Sequence, residues 1–170
     1  MTVASRLRLA DPLPDADGLA AQAVATPGGD VRDVLSPMNG DVVGRLPVST
    51  VADVDRAYAA ARAAAPDWAD VPVAEKAALL RRFHDLVLTD RSPLLDLVQL
   101  ESGKTRLQAF EEVADCAIVA RHYAATAAKT LAPRRRRGVY PLLSQTIETR
   151  LPKGVVGIVS PWNYPLSLSI

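Results

Sequence analysis

An α/β fold is what this sequence predicts, and three observations carry that expectation. Through the middle of the chain apolar residues recur three and four apart, the spacing of one helical face. Beyond Gly138 the period changes to two: Ile147, Thr149 and Leu151 point one way, Thr146, Glu148 and Arg150 the other. Val155-Val156-Gly157-Ile158-Val159 is then apolar on both faces, as a central parallel strand must be when helices cover both sides of its sheet.

The elements follow in order. Residues 1–30 are rich in Ala, Asp, Pro and Gly without sustained periodicity, and read as a variable arm, part helix and part loop. Val31 to Leu35 and Val42 to Leu46 are apolar runs separated by Ser36-Pro37-Met38-Asn39-Gly40, which makes a hairpin. Thr50 with Asp53 three residues on is an acidic variant of the capping box. It opens a helix with one face of Val51, Val54, Tyr58, Ala61 and Ala65, which Pro66 is expected to stop. Leu79, Leu80, Phe83, Leu86 and Val87 mark a second helix. Ser92-Pro93 reads as the N-cap and first residue of a third, which Gly103 ends.

A long helix is expected over about Arg106 to Leu131, facing inward through Phe110, Val113, Ala117, Ala120, Ala124, Ala127 and Leu131. Its alanines would let a neighbour approach closely. Arg134 to Arg137 read as a solvated basic loop closed by Gly138, and the period-two segment after it as a half-exposed antiparallel strand. No internal repeat is visible.

Composition excludes several functions. A formal net charge of +1 gives no global field for nucleic acid or an acidic membrane. No stretch approaches the roughly 20 apolar residues that span a bilayer. Asp11, Pro12, Pro14, Asp15 and Asp17 interrupt any apolar leader. The single cysteine, Cys116, precludes an internal disulfide and fits a reducing cytoplasm, the expected location. It lies mid-helix and reads as a small buried residue. His84 and His122 stand on separate helices without ligand-spaced partners, so no metal site is expected. Glu111 and Glu112, early in the long helix, suit its dipole. Lys104 is expected to pair with a neighbouring carboxylate or carbonyl. Ser167-Leu168-Ser169-Ile170 is apolar and has no stop signal, so the chain reads as cut there.

Chemistry concentrates at Ser160-Pro161-Trp162-Asn163-Tyr164-Pro165. Its two prolines fix the backbone around an asparagine at the carboxyl end of the expected parallel strand, where open α/β sheets bind ligands. Asparagine is no acid or base at neutral pH, but its amide can donate to a developing oxyanion. The residues alone leave a second reading open: Asn163 satisfies turn backbone groups and Trp162 fills core.

The run from Pro152 to Pro165 resembles the strand and turn that open the cofactor site of aldehyde dehydrogenases. Ser36 to Gly40 with Val48-Ser49-Thr50 resembles that family's opening hairpin and first helix cap. Trp68 and Pro72 to Arg82 resemble its second helix. Leu100-Glu101-Ser102-Gly103-Lys104 resembles its Glu-x-Gly-Lys signature, with Glu111-Glu112-Val113 in the helix that follows. Phe83 to Leu88 and Pro133 to Gly138 look most like the actinobacterial-type succinate-semialdehyde dehydrogenases.

The resemblance implies a Rossmann-like cofactor domain and NAD(P)-dependent oxidation of an aldehyde, succinate semialdehyde foremost, with NADP favoured over NAD. A cysteine thiolate would attack the aldehyde, and water activated by a glutamate would release the acid. Asn163 matches the oxyanion-stabilising asparagine. Val159, Ser160, Pro161, Trp162 and Asn163 match the lining of the cofactor cleft, and Tyr164 an aromatic wall of the substrate channel. The strand around 143–151 matches part of the oligomerisation hairpin, implying a homo-dimer or tetramer.

By the same resemblance, 31–137 is the helical front of the cofactor domain, 138–152 the oligomerisation segment and 153–170 the first strand and turn of that domain. The family's nucleophile and base belong after this turn, so the free-standing chain is expected to be inactive. Other aliphatic or aromatic aldehydes, and a non-catalytic remnant that only associates with partner subunits, are the alternative readings. Neither nucleic acid nor membrane is an expected partner.

Overall fold

Alternating apolar positions around an Asn-Gly turn form the first element of the structure, a computed structural model that describes residues 23–140 and 144–170. β1 (Val31–Leu35) pairs antiparallel with β2 (Val42–Pro47), with an irregularity between Val34 and Leu35. Gly40 takes a φ of 77°, and its N–H closes the turn on the Ser36 carbonyl at 2.8 Å. Most of the arm expected over 1–30 lies outside the described residues.

α1 (Val51–Asp70) starts on the expected capping box. The Thr50 side chain accepts from the Asp53 N–H, and the Asp53 carboxylate accepts from the Thr50 N–H at 2.7 Å. The Thr50 backbone and hydroxyl, then the Thr26 hydroxyl, hold the Asp53 carboxyl far below the usual carboxylate range. Pro66 does not stop this helix, which continues to Asp70. Only one backbone bond is forfeited, to the carbonyl of Arg62, and that residue is exposed so water can serve it. The alanine-rich stretch before Pro66 supplies high helix propensity. The face of Val51, Val54 and Tyr58 exists as expected but is exposed.

Three helices build the core. α2 (Val73–Thr89) lies along α4 (Arg106–Leu131), and α3 (Arg91–Ser102) packs against α4 as well. Val87, Leu95, Val98, Ala109, Val113, Cys116 and Ala117 form one buried cluster, with Phe83, Leu94 and Leu166 against it. The small side chains of Ala109, Ala117 and Ala120 carry the close approach expected from the sequence. Two expected members of that face, Phe110 near its start and Leu131 at its end, are exposed. α3 begins two residues earlier than expected, with Asp90 rather than Ser92 as N-cap and Pro93 inside the first turn, where a missing N–H costs no helical bond.

Gly103 ends α3 with φ 70°, donating its N–H to the Gln99 carbonyl at 2.9 Å. A Cβ there would lie 3.1 Å from the Pro37 ring of the hairpin turn. Glycine is thus required twice, by backbone conformation and by the hairpin's approach. Gly103→Ala is expected to destabilise the chain by about 2 kcal/mol. An unchanged urea midpoint would sink that account.

Two expectations change. Arg134 to Arg137 are not a loop but a strand, β3 (Arg134–Arg137), antiparallel to β4 (Gln145–Glu148) and solvated along its length. The Arg136–Glu148 pair at 2.7 Å clips the two strands together. β4 is the expected antiparallel strand, shorter than predicted: Thr149 and Leu151 lie past its end, and Ile147 is exposed. Val155 to Val159, expected as a strand buried on both faces, pairs with no strand among the described residues. Val156, Ile158 and Val159 are 69%, 60% and 97% exposed. A strand is a ladder of hydrogen bonds to a neighbour, and none of the described strands supplies one here. Among the described residues no helix is long and apolar enough to cross a membrane.

Candidate functional site

The turn after residue 159 is held by α4. Pro161 and Pro165 fix φ on either side of Asn163, and the chain closes into a short 3-10 turn at Ser167–Ser169. The Leu168 N–H donates to the Tyr164 carbonyl at 3.2 Å. Leu166 packs against the core cluster and Ser167 is buried. On the other side of the turn Trp162 is 88% exposed. Asn163 is also exposed, and its amide makes no hydrogen bond among the described residues. Trp162 therefore does not fill core, and the amide is not consumed by turn backbone groups. Val159 and Pro161 are exposed beside them, Ser160 is half-buried, and Tyr164 is partly exposed.

Beneath this turn lies a buried carboxylate. Glu112 is fully buried on α4, and its Oε1 accepts the Leu166 N–H at 2.7 Å and the Ser167 N–H at 3.4 Å. Its Oε2 is paired with the Lys104 ammonium. That ammonium also sits 4.1 Å from the centroid of the Tyr164 ring, a cation–π contact. Lys104 finds the carboxylate partner expected of it. A role for Glu112 at the helix dipole does not fit, because position 112 lies past the first turn, where that field has faded. One signal could have exposed it. Ala109, Glu112, Val113, Cys116, Ala117 and Ala120 are spaced three and one apart, so a glutamate stands in the apolar stripe.

Other candidates resolve simply. Cys116 is 1% exposed and donates to the Glu112 carbonyl at 3.2 Å. Burial, then the Glu112 and Asp115 charges, push its thiol up to about 11, the reverse of an activated nucleophile. His84 Nδ1 lies 2.9 Å from Asp85 Oδ1. No group of three or more His, Cys, Asp or Glu could hold a metal among the described residues. Asp96, also buried, is paired with Arg106, which donates to Gln99 Oε1 at 2.9 Å.

The order of these elements matches known proteins. A Mycolicibacterium smegmatis protein carrying the provisional name succinate-semialdehyde dehydrogenase [NADP(+)] is 48% identical over 82% of this chain. The solved NAD-dependent benzaldehyde dehydrogenase from Corynebacterium glutamicum superposes over 88% of the chain and 32% of its own, with TM-score 0.77 and 31% identity. Aldehyde dehydrogenase 21 from Physcomitrella patens, solved with the reaction product succinate, covers 85% of the chain and 31% of its own, with TM-score 0.78 and 27% identity. The chain spans only 27% of the length of the mycobacterial relative. The sequence model described as "Aldehyde dehydrogenase family" matches residues 24–170. With that match running through hairpin, helices and turn alike, the chain belongs to the aldehyde dehydrogenase family.

Proposed function

We propose that this chain forms one wall of the cofactor cleft and supplies the oxyanion donor in an NAD(P)-dependent oxidation of succinate semialdehyde to succinate. The observation that carries the reading is the Asn163 amide, exposed and unengaged on a turn anchored from beneath. The strip from Val159 to Trp162 suits a nucleotide: Val159 and Trp162 offer open apolar surface and Ser160 a hydroxyl beside it. When bound, the nicotinamide accepts the hydride that leaves the aldehyde carbon. Asn163 Nδ2 donates to the carbonyl oxygen as it gains negative charge, and Tyr164 walls the substrate channel. NADP is favoured over NAD because the relatives at 44–48% identity carry NADP(+) in their names.

Cys116, with its thiol raised to about 11, is unsuited to the thiolate attack the family reaction needs. On this reading the 170 residues, which span 27% of the length of the mycobacterial relative, turn over no aldehyde by themselves. On this reading residues 31–137 form the helical front of the cofactor domain and 138–152 belong to the contact that makes a homo-dimer or tetramer in the cytoplasm. An aromatic aldehyde is the second reading, supported by the likeness to the benzaldehyde dehydrogenase.

The test is to express the full reading frame that encodes this chain and to follow reduced nicotinamide by absorbance. Succinate semialdehyde and benzaldehyde are each offered with NAD and with NADP. Fastest turnover of succinate semialdehyde with NADP is expected. Preference for benzaldehyde favours the second reading, and no reduction with any pairing overturns both.

A further inference from the structure

Glu112 is costly where it stands. Its neighbours on the stripe are Ala109, Val113 and Cys116, all buried, and an apolar residue would fill the same space without desolvating a charge. What only an acceptor can do there is take the N–H groups of Leu166 and Ser167, more than fifty residues away in sequence. The other oxygen is held by Lys104, so the carboxylate is fixed at both ends. Lys104 in turn covers the Tyr164 ring. Asn163 is therefore followed by four residues that are each restrained: Tyr164 by the ammonium, Pro165 by its own ring, Leu166 and Ser167 by the carboxylate.

We infer that Glu112 is a positioning residue for Asn163, clamping the backbone beyond it so that the side-chain amide keeps one direction. The inference rests on the reading above, in which Asn163 is the oxyanion donor. A donor helps only when it is aimed at the place where charge develops. Loss of the clamp leaves the amide in place but free to wander, which lowers kcat far more than it weakens substrate binding.

The test uses the enzyme from the full reading frame with two substitutions. Glu112→Met keeps the volume and removes the acceptors, while Glu112→Gln keeps a carbonyl oxygen for the Leu166 N–H. In Glu112→Met, kcat should fall about 100-fold, the typical effect of displacing a reacting group by an ångström, with aldehyde KM changed less than about threefold. Amide exchange at Leu166 and Ser167 should accelerate about tenfold or more. Glu112→Gln should keep slow exchange at Leu166 and most of kcat.

Unchanged exchange in Glu112→Met overturns the clamp whatever the activity. Faster exchange with kcat intact overturns the positioning role. If Glu112→Met does not fold, the glutamine variant decides alone: loss of kcat with Leu166 still protected overturns the inference. Absence of turnover in the unsubstituted enzyme is a different failure. It removes the functional reading, and this inference with it, before either variant is compared.

Discussion

Asn163→Ala is expected to lower kcat of the full enzyme about 100- to 1,000-fold, with substrate KM changed far less. The argument begins with what the amide does in the resting protein, where it makes no hydrogen bond among the described residues and stands exposed. A side chain needed for the turn would be engaged with it. The fold of residues 161–167 rests instead on two prolines and on the Glu112 carboxylate, neither of which alanine at 163 disturbs. Stability should therefore change little while the rate collapses. That pattern marks a group used only in the transition state. Asn163→Asp should be at least as poor, since a carboxylate beside a developing oxyanion repels it. Steady-state kinetics on both variants, with melting curves alongside, make the check. A kcat within about threefold of the parent in Asn163→Ala would remove Asn163 from the chemistry, because even a single neutral donor contributes more than that.

The parts of the fold that were legible in the sequence are those set by local chemistry. The Thr50–Asp53 box, the Gly103 stop and the limits of α4 follow from caps and periodicity within a few residues of where they act. What failed depends on distant partners or on signals the pattern lacks. Val155 to Val159 has the composition of a buried strand, but a strand needs a neighbour to pair with. Four consecutive arginines carry no alternation, so nothing in β3 betrays its pairing; only Glu148, opposite Arg134 and bound to Arg136, hints at it. The face of α1 was read correctly as a face, yet periodicity does not say what covers it.

The site divides in the same way. Trp162 and Asn163 stood out because prolines bracket them. Glu112 reads from sequence as a partner of the helix dipole because its meaning lies in Leu166 and Ser167, and only the folded chain brings them together.

Lys104→Met should destabilise the chain by about 3 kcal/mol, the low end of the cost of stranding one partner of a buried ion pair. The Lys104 side chain is 14% exposed and that of Glu112 fully buried, so water screens the pair poorly. Removing the ammonium leaves a carboxylate in the stripe with two backbone N–H donors and no cation, which is why the low end applies. The cation–π contact with Tyr164 is lost as well. Adding Glu112→Gln to Lys104→Met removes the stranded charge and keeps a carbonyl for the Leu166 N–H, so the double variant should recover at least about 1 kcal/mol. Urea denaturation of the three variants and the parent closes the cycle. If the double variant is no more stable than Lys104→Met, the penalty comes from lost packing of the lysine stem rather than from a stranded charge. The carboxylate would then be sustained by the turn's own N–H groups. In that case the link between Lys104 and Tyr164, not the ion pair, is what ties the segment between α3 and α4 to the Asn163 turn.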